Sequence, residues 1–316
     1  MEPKAAKLNG NKTSILSISS IKGGVGKSVT AVNLAASLAV TIAPEGGRVL
    51  LVDLDPQCNA TDALIPGGVE EGKSLTHSIE QKRPLDEILV STPVENLDLV
   101  GASRRLATIQ RTYEGSRLQH LLLEPLFNSE KLADYRYIIL DLHGSDNCLL
   151  TSALYQSDYY IIPLKSDAFS SNALTDMLLI AEELSQLNPN LTLLGCVLTQ
   201  YRITAGGSRG RASAASRYFE KAIRQLAEEA NFKVFNTIIP YSDAVDSSIA
   251  KGVPLLLSAP QAPVTLHRLA GEVSPLLIGK RRGRRRVPKV NVVKQVETQY
   301  IAEPFDYEGY EEASVG

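Results

Sequence analysis

Apolar positions along the chain follow two alternating patterns. Short, nearly continuous apolar runs at Ser14–Ser19, Val49–Val52, Leu97–Val100, Tyr137–Leu140, Tyr159–Leu164, Leu191–Leu198 and Val234–Ile239 read as strands. Between them lie stretches with helical spacing: Val29–Val40, Gly115–Phe127, Asn147–Tyr155, Asn172–Gln186, Ala212–Ala230 and Val264–Ile278. In the first of these the stripe is Val32, Leu34, Ala35, Leu38 and Ala39. Ala43–Gly47 ends that helix, and Ala60–Lys73 reads as loop. Strands without polar alternation suit a sheet covered on both faces. Strands alternating with helices build a mostly parallel sheet. The expected fold is α/β, doubly wound, with helices on both faces.

One junction carries chemistry. The first strand and first helix are joined by Ile21-Lys22-Gly23-Gly24-Val25-Gly26-Lys27-Ser28. Glycines let successive backbone N–H groups turn around an anion. The helix N-terminus adds unsatisfied N–H groups and a positive dipole end. Strand, glycine-rich loop and helix together define a phosphate-binding loop. Contacts to phosphate are expected from Lys22, Gly23, Gly24, Val25, Gly26, Lys27, Ser28 and Val29. Lys27 reaches the β- and γ-phosphates, and the Ser28 hydroxyl can ligate Mg²⁺. The implied ligands are ATP and Mg²⁺. The common spacing G-x-x-x-x-G-K-[ST] is not met, because Ile21 stands where it needs glycine.

Three aspartates fall at expected strand ends, where ligands of open α/β sheets sit: Asp53 and Asp55 after the second run, Asp141 after the fourth. One near a metal and one near an attacking water would complete a hydrolytic site. The plainer alternative is that they cap helices or turns.

Composition sets limits. The chain has 316 residues, 44% hydrophobic, with a formal net charge of −2. It is long enough for one large domain, and any nucleic-acid contact must come from local patches. Cys58, Cys148 and Cys196 are far apart, which argues against a zinc or iron–sulfur site and for a reducing cytosol. No apolar run is expected to approach the roughly 18 residues that span a bilayer, and the N-terminus shows no signal-peptide pattern. Residues 1–13 read as a loose arm, 14–279 as the folded domain and 280–316 as a tail. The tail opens with Lys280, Arg281, Arg282, Gly283, Arg284, Arg285 and Arg286, then turns acidic through Glu297, Glu303, Asp306, Glu308, Glu311 and Glu312.

The loop K-G-G-x-G-K-S resembles the deviant Walker A box of the ParA/MinD family of dimeric P-loop ATPases. Val52-Asp53-Leu54-Asp55-Pro56-Gln57 followed by Asn59-Ala60-Thr61 resembles that family's second box. Asp158–Pro163, Asn236–Pro240 and Lys251–Leu255 extend the likeness over about residues 13–278. The resemblance implies that Asp55 positions the hydrolytic water, that Asp53 lies near the metal shell, and that Asp141 holds Mg²⁺ through water. It implies that Lys22 crosses to the nucleotide of the other subunit, so that ATP closes a homodimer. It places adenine near Ile239, Pro240 and Tyr241. The family usually continues with two prolines after the Walker B aspartate, whereas here Asp141 is followed by Leu142, His143 and Gly144. His143 is either a polar loop residue or a group touching nucleotide or the partner subunit.

Basic residues offer a surface for nucleic acid. Arg217, Lys221 and Arg224 are spaced i, i+4, i+7 on one helical stripe, and Arg209 and Arg211 precede them among glycines and serines. With Lys280–Arg286 they suit phosphate contact without base reading. Solvated charge is the bland alternative, since Glu220, Glu228 and Glu229 are close in sequence. The resemblance implies a cytoplasmic, nucleoid-associated ParA-type ATPase that binds DNA nonspecifically and segregates or positions a cargo. A cargo-bound ParB-like or adaptor protein would stimulate a slow hydrolysis. One rival is a MinD-like membrane-cycling ATPase, which needs an amphipathic C-terminal helix that Val287–Gly316 does not spell. The other is a P-loop bacterial tyrosine kinase, prompted by Tyr300, Tyr307 and Tyr310.

Overall fold

The computed structural model of the chain describes residues 13–167, 170–204, 211–241 and 263–278. In chain order its elements begin with β1 (Ser14–Ile18), α1 (Lys27–Ile42), β2 (Val49–Leu54), α2 (Asn59–Leu64), α3 (Leu75–Gln81), α4 (Leu85–Ile88), β3 (Leu89–Ser91) and β4 (Leu97–Val100). They continue with α5 (Leu106–Tyr113), α6 (Glu124–Phe127), β5 (Tyr137–Leu142), α7 (Cys148–Gln156), β6 (Tyr159–Lys165), α8 (Ser170–Leu184) and β7 (Thr192–Tyr201). A short hairpin, β8 (Ile203–Thr204) with β9 (Arg211–Ala212), leads to α9 (Ala214–Ala230), β10 (Val234–Pro240) and α10 (Pro263–Ile278).

Eight strands form one sheet in the order β10-β7-β6-β1-β5-β2-β4-β3. Every pairing is parallel except β3 with β4. The expected doubly wound sheet is therefore present. Its strands are apolar throughout because each face has its own core. Leu50, Val52, Ile138, Leu140, Ile162, Leu164 and Leu198 point to one face with α7, α8 and α9. Val49, Leu51, Leu16, Ile18, Ile139, Ile161 and Val197 point to the other with α1, α2 and α10. Period-two alternation thus sorts apolar side chains between two cores rather than between core and water. The stretch Lys27–Glu45 is apolar and long enough to cross a bilayer by length and composition, yet most of it is buried against the sheet.

Several local expectations give way to the structure. The helix Asn59–Leu64 overlaps the start of the stretch Ala60–Lys73 read as loop. Helices α3 and α5 carry too few apolar residues to declare themselves, and β3 is a three-residue edge strand. The expected helix Gly115–Phe127 is instead a turn, a 3₁₀ segment Gln119–Leu121 and the single turn of α6. Gly115 takes a left-handed φ of 73° that no helix interior accepts, and Pro125 lacks the N–H that a continuing helix would need. Asn147 is the cap of α7 rather than its first turn: its Oδ1 accepts from the N–H groups of Leu149 and Leu150.

Sheet order fixes the site. From β1 the chain runs through α1 to β2, beyond β5; from β5 it runs through α7 to β6, beyond β1. The neighbours β1 and β5 therefore send their connections in opposite directions. That switch point opens a crevice at the carboxyl ends of the strands. Asp141 stands there opposite Ile18 on one side and opposite Asp53 on the other.

Candidate functional site

The loop between β1 and α1 is held from outside. Thr199 Oγ1 donates to the Val25 carbonyl at 2.8 Å, and Gln200 Nε2 donates to the Gly24 carbonyl. Among the described residues no hydrogen bond uses the N–H groups of Gly23, Gly24, Val25 or Gly26. Carbonyls tied down on one side and amides left over on the other make an anion cradle. Gly24 and Gly26 have φ values of 67° and 79°, which side chains with a Cβ adopt at a cost. Gly26 is also the N-cap of α1, so the dipole end of a 16-residue helix faces the cradle.

Lys27 is buried, and its Nζ donates to the Lys22 carbonyl at 2.9 Å. Burial lowers its pKa, while the charges of Asp141 and Asp55 act the other way. The three aspartates differ sharply. Asp53 is fully buried and fully engaged: Oδ1 accepts from the Asp55 N–H at 3.0 Å, and Oδ2 from the Thr61 N–H and hydroxyl at 2.8 and 2.7 Å. Burial raises its pKa to about 6 against those hydrogen bonds. It braces the end of β2 against the start of α2. Asp141 is equally buried, but neither carboxylate oxygen has a hydrogen-bond partner among the described residues. Burial, and then the charge of Asp53, push its pKa well up; Ser28 lies near enough to favour the ionised form without completing a bond. Asp55 is the reverse case. Burial would raise its pKa, but the His143 hydrogen bond and the Gln57 N–H outweigh it and hold the carboxyl below its ordinary range.

Of these groups Lys27 and Asp55 line one cavity of about 430 Å³, while the fully buried Asp53 and Asp141 are not part of its lining. The loop residues 23–30 form its floor, and Asp55, Gln57, Asn59, His143, Gly144, Thr199 and Gln200 its walls. Ile239, Pro240 and Tyr241 line the same cavity. Tyr241 is half exposed and carries the Arg202 guanidinium over its ring at 5.7 Å. Gln57, Asn59, Thr199, Gln200 and Gly144 were not legible as wall residues, because each depends on which strands are neighbours.

Two expected contacts look different in three dimensions. Lys22 pairs with Asp167 of its own chain at 2.6 Å, both side chains about one-quarter exposed. Of the basic stripe, Arg217 and Lys221 are exposed, and Arg224 is partly buried. Its Nε donates to Glu220 at 2.9 Å and its Nη2 to the Phe235 carbonyl at 3.4 Å, joining α9 to β10. Arg211 lies in β9. Arg209, the Lys251–Leu255 segment, Lys280, Arg281, Arg282, Arg284, Arg285 and Arg286 fall outside the described residues.

A parallel sheet with a phosphate cradle, a buried lysine and an unsatisfied aspartate at its switch point defines a P-loop nucleotide hydrolase. Comparison with known proteins narrows the class. The family profile described as "AAA domain" matches residues 13–193. The chain is 30% identical over 252 residues to the chromosome partitioning protein ParA of Caulobacter vibrioides, covering 79% of this chain and 89% of the relative. It is 32% identical over 263 residues to the chromosome-partitioning ATPase Soj of Thermus thermophilus, covering 82% and 94%. A solved Cyanothece McdA–ATP complex superposes with a TM-score of 0.71 at 21% identity, over 86% of this chain and 99% of that one, which establishes the shared fold. The chain belongs to the ParA/MinD family of deviant Walker A ATPases and is of the ParA type.

Proposed function

We propose that this protein is a nucleotide-gated partition or positioning ATPase, in which Mg²⁺–ATP closes a homodimer that binds DNA without sequence preference. The observation that carries the reading is Asp141: a buried carboxylate with two unsatisfied oxygens, beside Ser28 and Lys27 at the cradle. A buried charge without partners is costly unless a cation completes it. The residues therefore fit magnesium, with Ser28 and Asp141 holding it directly or through water. When bound, the ion supplies positive charge at the β- and γ-phosphates.

The roles of this chain's own groups follow. Lys27 leaves the Lys22 carbonyl for the phosphates, and the loop amides take the phosphate oxygens. Asp55 orients water at the γ-phosphate. Ile239, Pro240 and Tyr241 enclose the adenine. Lys22 exchanges Asp167 for the nucleotide of the partner protomer, which makes ATP the adhesive of the dimer. Arg217 and Lys221, with Arg209, Arg211 and the basic run at 280–286, give DNA contact through phosphates; Arg224 supports that helix rather than touching DNA. A cargo-bound partner of the ParB or adaptor kind stimulates hydrolysis, and the ADP form lets go. Kinship with ParA and Soj partition proteins supports a DNA-borne cargo.

Light scattering in ATP, ADP and no nucleotide tests the gate. A dimer is expected with ATP when hydrolysis is blocked by Asp55→Ala, and a monomer in the other two states. A monomer under all three conditions removes the reading.

A further inference from the structure

We propose that His143 is a positioning residue for Asp55: it clamps one carboxylate oxygen so that the other is presented to the water that attacks ATP. The inference rests on the ATPase reading above and adds the residue that aims its water-orienting carboxylate.

The geometry comes from the sheet. β2 and β5 are hydrogen-bonded neighbours with Leu54 opposite Leu142, so the segments carrying Asp55 and His143 leave the sheet side by side. His143 Nδ1 lies 2.8 Å from Asp55 Oδ1, and the Gln57 N–H donates to the same oxygen at 2.8 Å. Two donors on one oxygen fix the rotation of the carboxylate and decide which oxygen remains. Among the described residues no hydrogen bond reaches Oδ2. Both side chains line the cavity that holds the phosphate loop. The Asp55 side chain is 8% exposed and that of His143 32%, so the carboxylate is the more enclosed of the pair. An ionised carboxylate only accepts, so Nδ1 carries the proton and donates.

The following residue brings the backbone beside the ring close to the phosphate loop. A Cβ added to Gly144 would lie 2.9 Å from Lys27 Nζ and 3.1 Å from Gly23 Cα. The backbone beside His143 is thus pressed against the phosphate loop, and the clamp is referenced to the cradle itself. In hydrolysis Asp55 Oδ2 accepts a hydrogen bond from water. The water oxygen bonds to the γ-phosphorus as the bond from that phosphorus to the bridging oxygen breaks. ADP leaves with the electron pair, the water's proton passes to the phosphate product, and Asp55 and His143 end unchanged.

The test uses the full chain and four variants: His143→Ala, His143→Asn, Asp55→Asn and the double variant His143→Ala/Asp55→Asn. Loss of aim without loss of binding should lower kcat for His143→Ala about tenfold to a hundredfold. Its affinity for a fluorescent ATP analogue should stay within about twofold. His143→Asn, whose amide donates from near the Nδ1 position, should recover most of the rate. The double variant should be no slower than Asp55→Asn alone, because the two act as one unit. In the nucleotide-free protein, ¹H–¹⁵N spectra should show the proton on His143 Nδ1, and Asp55→Asn should alter that signal. Unchanged kcat in His143→Ala, an equal loss of ATP affinity, additive losses in the double variant, or a wild-type Nδ1 without its proton would each overturn the role. Should His143→Ala fail to fold, the Nδ1 proton in the wild type decides. A wild-type chain that neither binds nor hydrolyses ATP removes the ATPase reading and this one with it. Normal wild-type turnover with an indifferent His143→Ala removes only the clamp.

Discussion

Asp141 and Lys27 divide the work of the site between a charge that lacks partners and one that has settled for a temporary partner. Asp141→Asn removes a carboxylate whose oxygens are buried and unbonded. Asparagine keeps the shape but takes away the buried charge and its repulsion with Asp53. The variant should therefore melt at or above the wild-type temperature without ligand, and lose the extra stability that Mg²⁺–ATP confers on the wild type. Thermal melts with and without Mg²⁺–ATP check both halves. Lys27→Ala should abolish ATP binding in calorimetry while leaving the circular dichroism spectrum intact, since the amine's hydrogen bond is to a loop carbonyl and not to the core. At this scale the sequence was informative about residue types and spacing. Asp53, Asp55 and Asp141 could be read as strand-end carboxylates. The family resemblance already implied separate roles for them, but their different hydrogen bonding was not legible, because it depends on Thr61, Gln57 and His143, which the fold brings to Asp53 and Asp55 and not to Asp141.

Elements convert these residues into a rigid frame. The loop after β5 touches the phosphate loop where Gly144 meets Gly23. Gly144→Ala would force backbone apart at that contact. Overpacking of this kind costs about 1–3 kcal/mol, which, carried by the nucleotide-bound form, is about a fivefold to 150-fold loss of ATP affinity. Unchanged affinity by calorimetry would show that the two loops are not in register. On the far edge, Glu272 of α10 accepts from the N–H groups of Asn236 and Thr237 and from the Thr237 hydroxyl, at 2.9, 2.8 and 2.7 Å. Burial raises its pKa, but these bonds outweigh it and hold the carboxyl below its ordinary range. A depressed carboxylate stabilises the fold fully above its unfolded pKa and loses that contribution as pH falls through the folded value. Glu272→Gln should therefore cost about 1–3 kcal/mol near neutrality, and the gap to wild type in chemical denaturation should close in acid. A gap that widens in acid would contradict the sign. Long periodic elements were legible in the sequence because both faces of the sheet are apolar. Helices α2, α3 and α5 were not, since they are short and owe their existence to packing.

For the molecule as a whole, the phosphate loop, Lys27 and Asp55 share one cavity, while the first lysine is engaged elsewhere. Lys22 is bound to Asp167, so its reach to another protomer requires that pair to open. Lys22→Ala should keep ATP binding within about threefold, because Lys27 carries the phosphate charge, yet lose ATP-dependent dimerisation in light scattering. A full dimer in that variant would contradict a role in trans. The central claim is that nucleotide state switches DNA binding. It is tested most directly by the affinity of the Asp55→Ala protein for random-sequence duplex DNA with ATP, with ADP and with neither, at several salt concentrations. The account predicts tight, sequence-independent binding with ATP alone. Its logarithm should fall linearly with log salt, at about 0.9 per phosphate contacted. Equal DNA affinity in the three nucleotide states would contradict it.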